Sequence, residues 1–261
     1  MVDIEQLELQ YFQTNKPVPY DLKCGVQLLI EPIRVEHWAE FERALPVLKI
    51  EKNDINDVEI IQMSYVAFLE FLSMSNQMYF NMLKTLLRHS LRMENFGFGK
   101  DGGKVCICET DRPEDDDDAE ITTIITAKEF DEIKKIILFQ NIYDYDDTYL
   151  SADVRKAIEE YNKIRYKDVV SPTLEKKKIF IMSKNGASEN RINKMYYRTF
   201  SQLFKTLVDN DIYFANKMLE ASQKYETKEI STHPMFVKDI DKINDAFSSM
   251  SNIENKMGSV T

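Results

Sequence analysis

Three groups of residues have side chains that could do chemistry, and each is best judged by its spacing. Asp144-Tyr-Asp146-Asp147-Thr148 places oxygen-bearing side chains at alternate positions, 144, 146 and 148, in the way a calcium loop begins. Such a loop needs glycine at its sixth position for the turn and a bidentate glutamate at its twelfth, where this chain has Tyr149 and Arg155. The segment therefore reads as a corner between helices, its carboxylates placed to offset the dipole of the next helix. A metal-dependent hydrolase built on Asp144, Asp146 and Asp147 is the enzymatic alternative.

Cys106 and Cys108 stand two apart, so on a strand their side chains share a face. Zinc takes four ligands, and no other pair of cysteines or histidines lies close in sequence, so these thiols are expected to be small buried hydrophobes. His37, His89 and His233 are scattered, without a serine or cysteine and an orienting acid at a recognisable spacing. Each reads as a surface histidine. The sequence thus assigns no catalytic, cofactor-binding or metal-binding residue, and the expectation is a protein that is not an enzyme and takes no cofactor.

The elements that carry these residues are mostly helical. Seven glycines and seven prolines in 261 residues are few for a turn-rich sandwich, a barrel or a phosphate-cradling fold. Tyr20 to Leu22 and Val26 to Ile30 flank a Lys23-Cys24-Gly25 turn and predict a small hairpin. Trp38, Phe41 and Leu45 then recur at helical spacing until Pro46. Apolar positions from Val58 to Met93 predict a helix pair broken around Ser73 to Asn76, where short polar side chains compete for the backbone. Phe96 to Gly103 reads as a flexible boundary. Val105 to Cys108 and Ile121 to Thr126 are β-branched runs that would form a second hairpin.

Thr126-Ala-Lys-Glu129 is a capping box, and it opens a helix whose apolar face is Phe130, Ile133, Ile136, Ile137 and Gln140, with Gln140-Asn141 as a polar exit. Ser151 caps a helix bearing Val154, Ile158, Tyr161 and Ile164, and Ser171-Pro172 starts another that ends at Gly186. Ser188 opens an amphipathic run through Val208. A break at Asp209-Asn210 and a returning helix would make an αα-hairpin. Beyond Tyr225 the pattern fades, apart from a short helical stretch, Val237 to Phe247.

The expected fold class is mainly α (α+β): a helical body with a small N-terminal β-hairpin and a second, acid-tipped β-hairpin. The expected division is residues 1–95 for the first hairpin plus helices, 96–126 for the acidic hairpin as an insertion, and 127–261 for a helical domain with a loose C-terminal tail.

Charge narrows the partners. Formal net charge is −10, and residues 101–131 hold eleven acids against three bases, so the acidity is concentrated there. The run Glu114 to Asp118 repels itself and belongs in solvent, as a solubilising loop or a contact for a basic partner. Binding to a nucleic-acid backbone is disfavoured, since it depends on lysine and arginine neutralising phosphates. The run Ile60 to Leu83 holds one charge, Glu70, but too many polar side chains to span a membrane, and it reads as buried in protein. Three cysteines and no secretory leader after Met1 point to a reducing interior. Met63, Met74, Met78, Met82 and Met93 make the helix pair soft. Methionine fills irregular cores and also lines adaptable binding surfaces. Met74, Met78, Tyr79, Met82 and Leu83, with Asp115, Asp116, Asp117 and Asp118 of the acidic run, are the expected partner-binding residues.

Phe130-Asp-Glu-Ile-Lys-Lys-Ile-Ile-Leu-Phe-Gln140-Asn141, continuing through Asp144-Tyr-Asp146-Asp147 and Ser151-Ala-Asp-Val-Arg-Lys-Ala-Ile-Glu159, resembles bacteriophage tail proteins, most nearly the tail or baseplate assembly chaperones encoded near the tape-measure gene. Tyr20-Asp-Leu-Lys-Cys-Gly25 with Leu29-Ile30-Glu31-Pro32-Ile33 is similar to the small hairpin that opens related baseplate proteins. The resemblance covers about a third of the chain. It implies no catalytic residues, binding to other phage tail or baseplate proteins, and assembly in the cytoplasm of a host bacterium. It leaves open a permanent place in the virion, as a structural subunit of the tail or baseplate.

Overall fold

The computed structural model describes residues 2–55, 57–111, 120–148, 150–165 and 172–221. In chain order the elements are α1 (Ile4–Leu7), which continues as a π-helical turn to Phe12, β1 (Val18–Asp21), β2 (Gln27–Ile30) and α2 (Val35–Ala44). Next come α3 (Val58–Gln62), α4 (Tyr65–Ser75), α5 (Gln77–Leu91), β3 (Phe96–Asp101), β4 (Lys104–Thr110) and β5 (Ile121–Ile125). The described chain closes with α6 (Ala127–Asn141), α7 (Ala152–Arg165), α8 (Leu174–Asn185), α9 (Glu189–Asn193) and α10 (Tyr197–Ala221). The protein is mainly α with two small antiparallel sheets, an α+β fold.

Contacts gather into two units, residues 1–146 with 186–202, and residues 147–185 with 203–261. The three-part division expected from sequence is not the one observed: the strands and α6 share a unit with the N-terminal helices. The Phe96-Gly97-Phe98-Gly99 stretch, expected to be a flexible boundary, is strand β3, and only Gly102 and Gly103, at φ +54° and +81°, form the turn into β4. The second sheet therefore has three strands, ordered β3-β4-β5, rather than two. Tip residues 112–119, Asp115 to Asp118 among them, lie outside the described residues.

In the first unit, the β1–β2 hairpin turns at Gly25, whose φ of +88° an L side chain rarely adopts. It is fastened to α6 by the capping glutamate. The Thr126 N–H and hydroxyl donate to Glu129 Oε2 at 2.9 and 2.5 Å, and the Lys23 N–H donates to Glu129 Oε1 at 2.7 Å. At the other end of α6, the polar exit residues Gln140 and Asn141 are both buried, Gln140 in line with the apolar face on which it was placed. Gln140 Nε2 donates to the Ile30 carbonyl at 3.1 Å, and Asn141 Oδ1 accepts the Ile33 N–H at 2.7 Å. These amides satisfy backbone groups at the end of β2 and just beyond it.

The helix pair expected over Val58 to Met93 is three helices. Met63 is extended, Ser64 caps α4 by accepting the Ala67 N–H at 3.2 Å, and Asn76 caps α5 by accepting the Met78 N–H at 2.9 Å. Leu83, Leu86, Leu87 and Leu91 give α5 its core face, against Val66, Phe68 and Leu69 of α4 and Trp38 and Phe41 of α2. The amphipathic run after Ser188 is also interrupted, at Lys194 to Tyr196. There the backbone is drawn into bonds with Ile33 and Val35: the Val35 N–H donates to the Met195 carbonyl at 2.9 Å and the Tyr197 N–H to the Ile33 carbonyl at 2.8 Å. Trp38 stacks on Tyr197 with ring centroids 3.2 Å apart and planes within 2°.

In the second unit, α10 runs unbroken through Asp209 and Asn210, so the expected αα-hairpin does not form. Both residues tolerate a helix interior at modest cost, and the preference read as a break was too small to decide it. Lys184 binds Asp211 at 2.8 Å, and Phe180 meets Phe204 edge to face at 5.6 Å, joining α8 to α10. Thr173 caps α8 by accepting the Lys176 N–H at 3.3 Å, whereas Ser171 lies outside the described residues. Ile164, expected on one side of α7 with Val154, Ile158 and Tyr161, is 80% exposed. The stretch Val237 to Phe247 and His233 also fall outside the description.

Candidate partner-binding groove

The helices α2 and α5 pack side by side, and on the side away from the leucine core they leave an open groove of about 590 Å³. Glu40, Arg43 and Ala44 of α2 line one wall; Met78, Asn81, Met82, Thr85 and Arg88 of α5 line the other. The α5 positions are three and four apart, so they form one face of the helix while Leu83, Leu86 and Leu87 form the other. Both faces follow from a single amphipathic helix with methionines on its outer side. Unbranched thioether chains lose little on exposure and adapt to what covers them.

The groove gathers some of the expected partner-binding residues and separates others. Met78, 51% exposed, and Met82 line it. Met74 is 78% exposed at the end of α4 but is not part of the lining, and neither is Tyr79, half-buried and next to Met78 in sequence. Leu83 is 0% exposed, so its assignment to a binding surface is corrected: it belongs to the core. Sequence periodicity missed Glu40, Arg43, Asn81, Thr85 and Arg88, because a polar residue on a helix carries no sign of the helix that will lie beside it.

One end of the groove is electrostatically organised. Glu40 Oε2 lies 3.0 Å from His89 Nε2 and 3.1 Å from Arg88 Nη2, and the His37 and His89 rings approach to 5.1 Å between centroids. His37 and His89 were expected to be separate surface histidines. The pairing of α2 with α5 brings them together. Burial pushes the His89 pKa down, more than the Glu40 hydrogen bond lifts it, and the neighbouring Arg88 and His37 push the same way. Glu40 is held below its ordinary range, first by the hydrogen bond from His89 and then by its charge.

The remaining chemical candidates are dispersed. Asp144, Asp146 and Asp147 follow α6 in irregular chain, and among the described residues no three His, Cys, Asp or Glu side chains are grouped to hold a metal ion. Cys24 is exposed. Cys106 is buried and Cys108 half-buried on β4, their sulfurs 3.6 Å apart. Burial, followed by the contact with Cys106, pushes the Cys108 thiol up to about 11. Among the described residues no helix is long and apolar enough to cross a membrane, and the Ile60 to Leu83 run is divided among three helices.

No protein-family model matches the chain, and neither a curated protein nor a solved structure is significantly similar to it. What the fold defines is its class, a mainly α protein of the α+β kind whose described surface includes a groove between two helices.

Proposed function

We propose that this protein is a non-enzymatic bacteriophage tail or baseplate assembly factor, a chaperone-like protein that shelters a helix of a tail component in the groove between α2 and α5. The observation that carries the reading is the groove lining: Met78 and Met82 on one wall, with Glu40, Arg43 and Arg88 around them. An amphipathic helix docks in such a groove by burying its apolar face while charges at the rim set its register. The phage setting, the partner among tail or baseplate proteins and the site of assembly in the host cytoplasm rest on the resemblance carried by residues 20–33 and 130–159.

The test is affinity purification of the tagged full chain from infected cells. The expected result is a tail or tape-measure protein held by the wild type and released by Met78→Glu combined with Met82→Glu. A clean monomer, or a complex that survives both substitutions, would count against the groove. Mass spectrometry of purified virions distinguishes roles, because a chaperone is absent from the particle and a structural subunit stays in it.

A further inference from the structure

Away from the groove, the β3 side of a pair of thiols on the three-stranded sheet carries glycines in place of side chains. Cys106 pairs across β3 with Gly99 and Cys108 with Gly97, so two glycines face two cysteines. The Cys108 sulfur lies where a Cβ at position 99 would be, beside the Cys106 sulfur, so any larger residue at 99 would displace it. Nothing lies within 4 Å of where a Cβ at Gly97 would project. The result is a 3.6 Å thiol pair, one member buried and one half-buried, with open space on the Cys108 side.

We propose that Cys106 and Cys108 form a two-thiolate binding site for a soft monovalent cation of the copper(I) class. Thiolates select soft cations, whereas zinc asks for four ligands, and the described residues offer no group of three. Taking the zinc–thiolate length of about 2.3 Å as the scale of a metal–sulfur bond, two thiolates on opposite sides of one ion stand about 4.6 Å apart. The sulfurs open to that distance when the Cys108 side chain swings towards the vacant space over Gly97. A disulfide fits less well: residues two apart on a strand have Cα atoms about 6.6 Å apart, near the upper limit for that bond. On binding, each S–H bond is exchanged for a sulfur–metal bond, two protons leave to solvent, and no electrons are transferred.

The experiment uses the full chain, reduced and under anaerobic conditions, with copper(I) supplied from a coloured chelator. One equivalent is withdrawn by the wild type and by Cys24→Ser, with X-ray absorption showing two sulfur neighbours. Cys108→Ser loses the uptake. Gly97→Val, which keeps both thiols and fills the open space with a residue suited to a strand, also loses it, and thermal unfolding confirms that each variant is folded. Absence of uptake by the wild type overturns the proposal. So does retention by Cys108→Ser, loss in Cys24→Ser, or a coordination shell containing more than two sulfurs.

Discussion

Glu129 does the work of a cap and of a clamp at once. The residue is only 4% exposed, and its carboxylate serves the start of α6 and the turn of the N-terminal hairpin together. Burial opposes the charge, but donors from Thr126 and Lys23 outweigh it and hold the carboxyl below its ordinary pKa. Glu129→Gln is expected to cost about 2 kcal/mol by urea unfolding at neutral pH, the scale of a hydrogen bond to a charged group. A depressed carboxyl stabilises above its unfolded pKa, so the gap between wild type and variant should close as pH falls below about 4. His89 has the opposite chemistry. Its pKa is lowered, so between about 6.5 and its lower folded value the unfolded chain binds the extra proton, and acidification through that window destabilises the protein. An NMR titration of the His89 ring should find a midpoint below about 6.5. Glu40→Gln should lower it further, since Glu40 is the neighbour that favours the protonated ring.

At the scale of elements, local signals marked starts better than stops. Ser64, Asn76, Thr126, Ser151 and Ser188 each open a helix, because a short polar side chain satisfies free amide donors whatever lies elsewhere in the fold. Of these, Ser64 was not read from sequence, and it divides what appeared to be a helix pair into three. The missed strand β3 has a plain cause. Phe96-Gly97-Phe98-Gly99 is glycine-rich and has little strand preference of its own; six residue pairs with β4 make it a strand. The Asp209-Asn210 pair, although it favours a turn, lies inside the continuous α10, and this can be tested directly. Asn210→Pro should cost about 3 kcal/mol in a continuous helix, whereas a turn at that point would accept proline. Thermal unfolding together with amide exchange over residues 205–215 reads the difference.

For the whole molecule, the decisive contrast is between two residues that sit in one short stretch of sequence. Met82 lines the groove and Leu83 is buried in the core. Leu83→Ala should lose about 2–5 kcal/mol of stability, the cost of a cavity in a packed interior. Met78→Glu should leave stability within about 0.5 kcal/mol while weakening partner binding, as a change on an exposed surface. Denaturant unfolding and co-purification, run on both variants, separate a surface role from a core role. By itself the sequence determined the helical character, the N-terminal hairpin, the capped start of α6 and its apolar face, since each depends on periodicity or hydrogen bonds within a few residues. It also singled out the methionines of α5. The tertiary structure alone decided that Met78 and Met82 face a groove, that Glu40 of α2 meets His89, that Gln140 and Asn141 are buried, and that two thiols lie over two glycines. All but the last of those contacts join residues far apart in the chain, and nothing in the spacing along one element specifies which element will pack against it; the last depends on a strand, β3, that has little preference of its own.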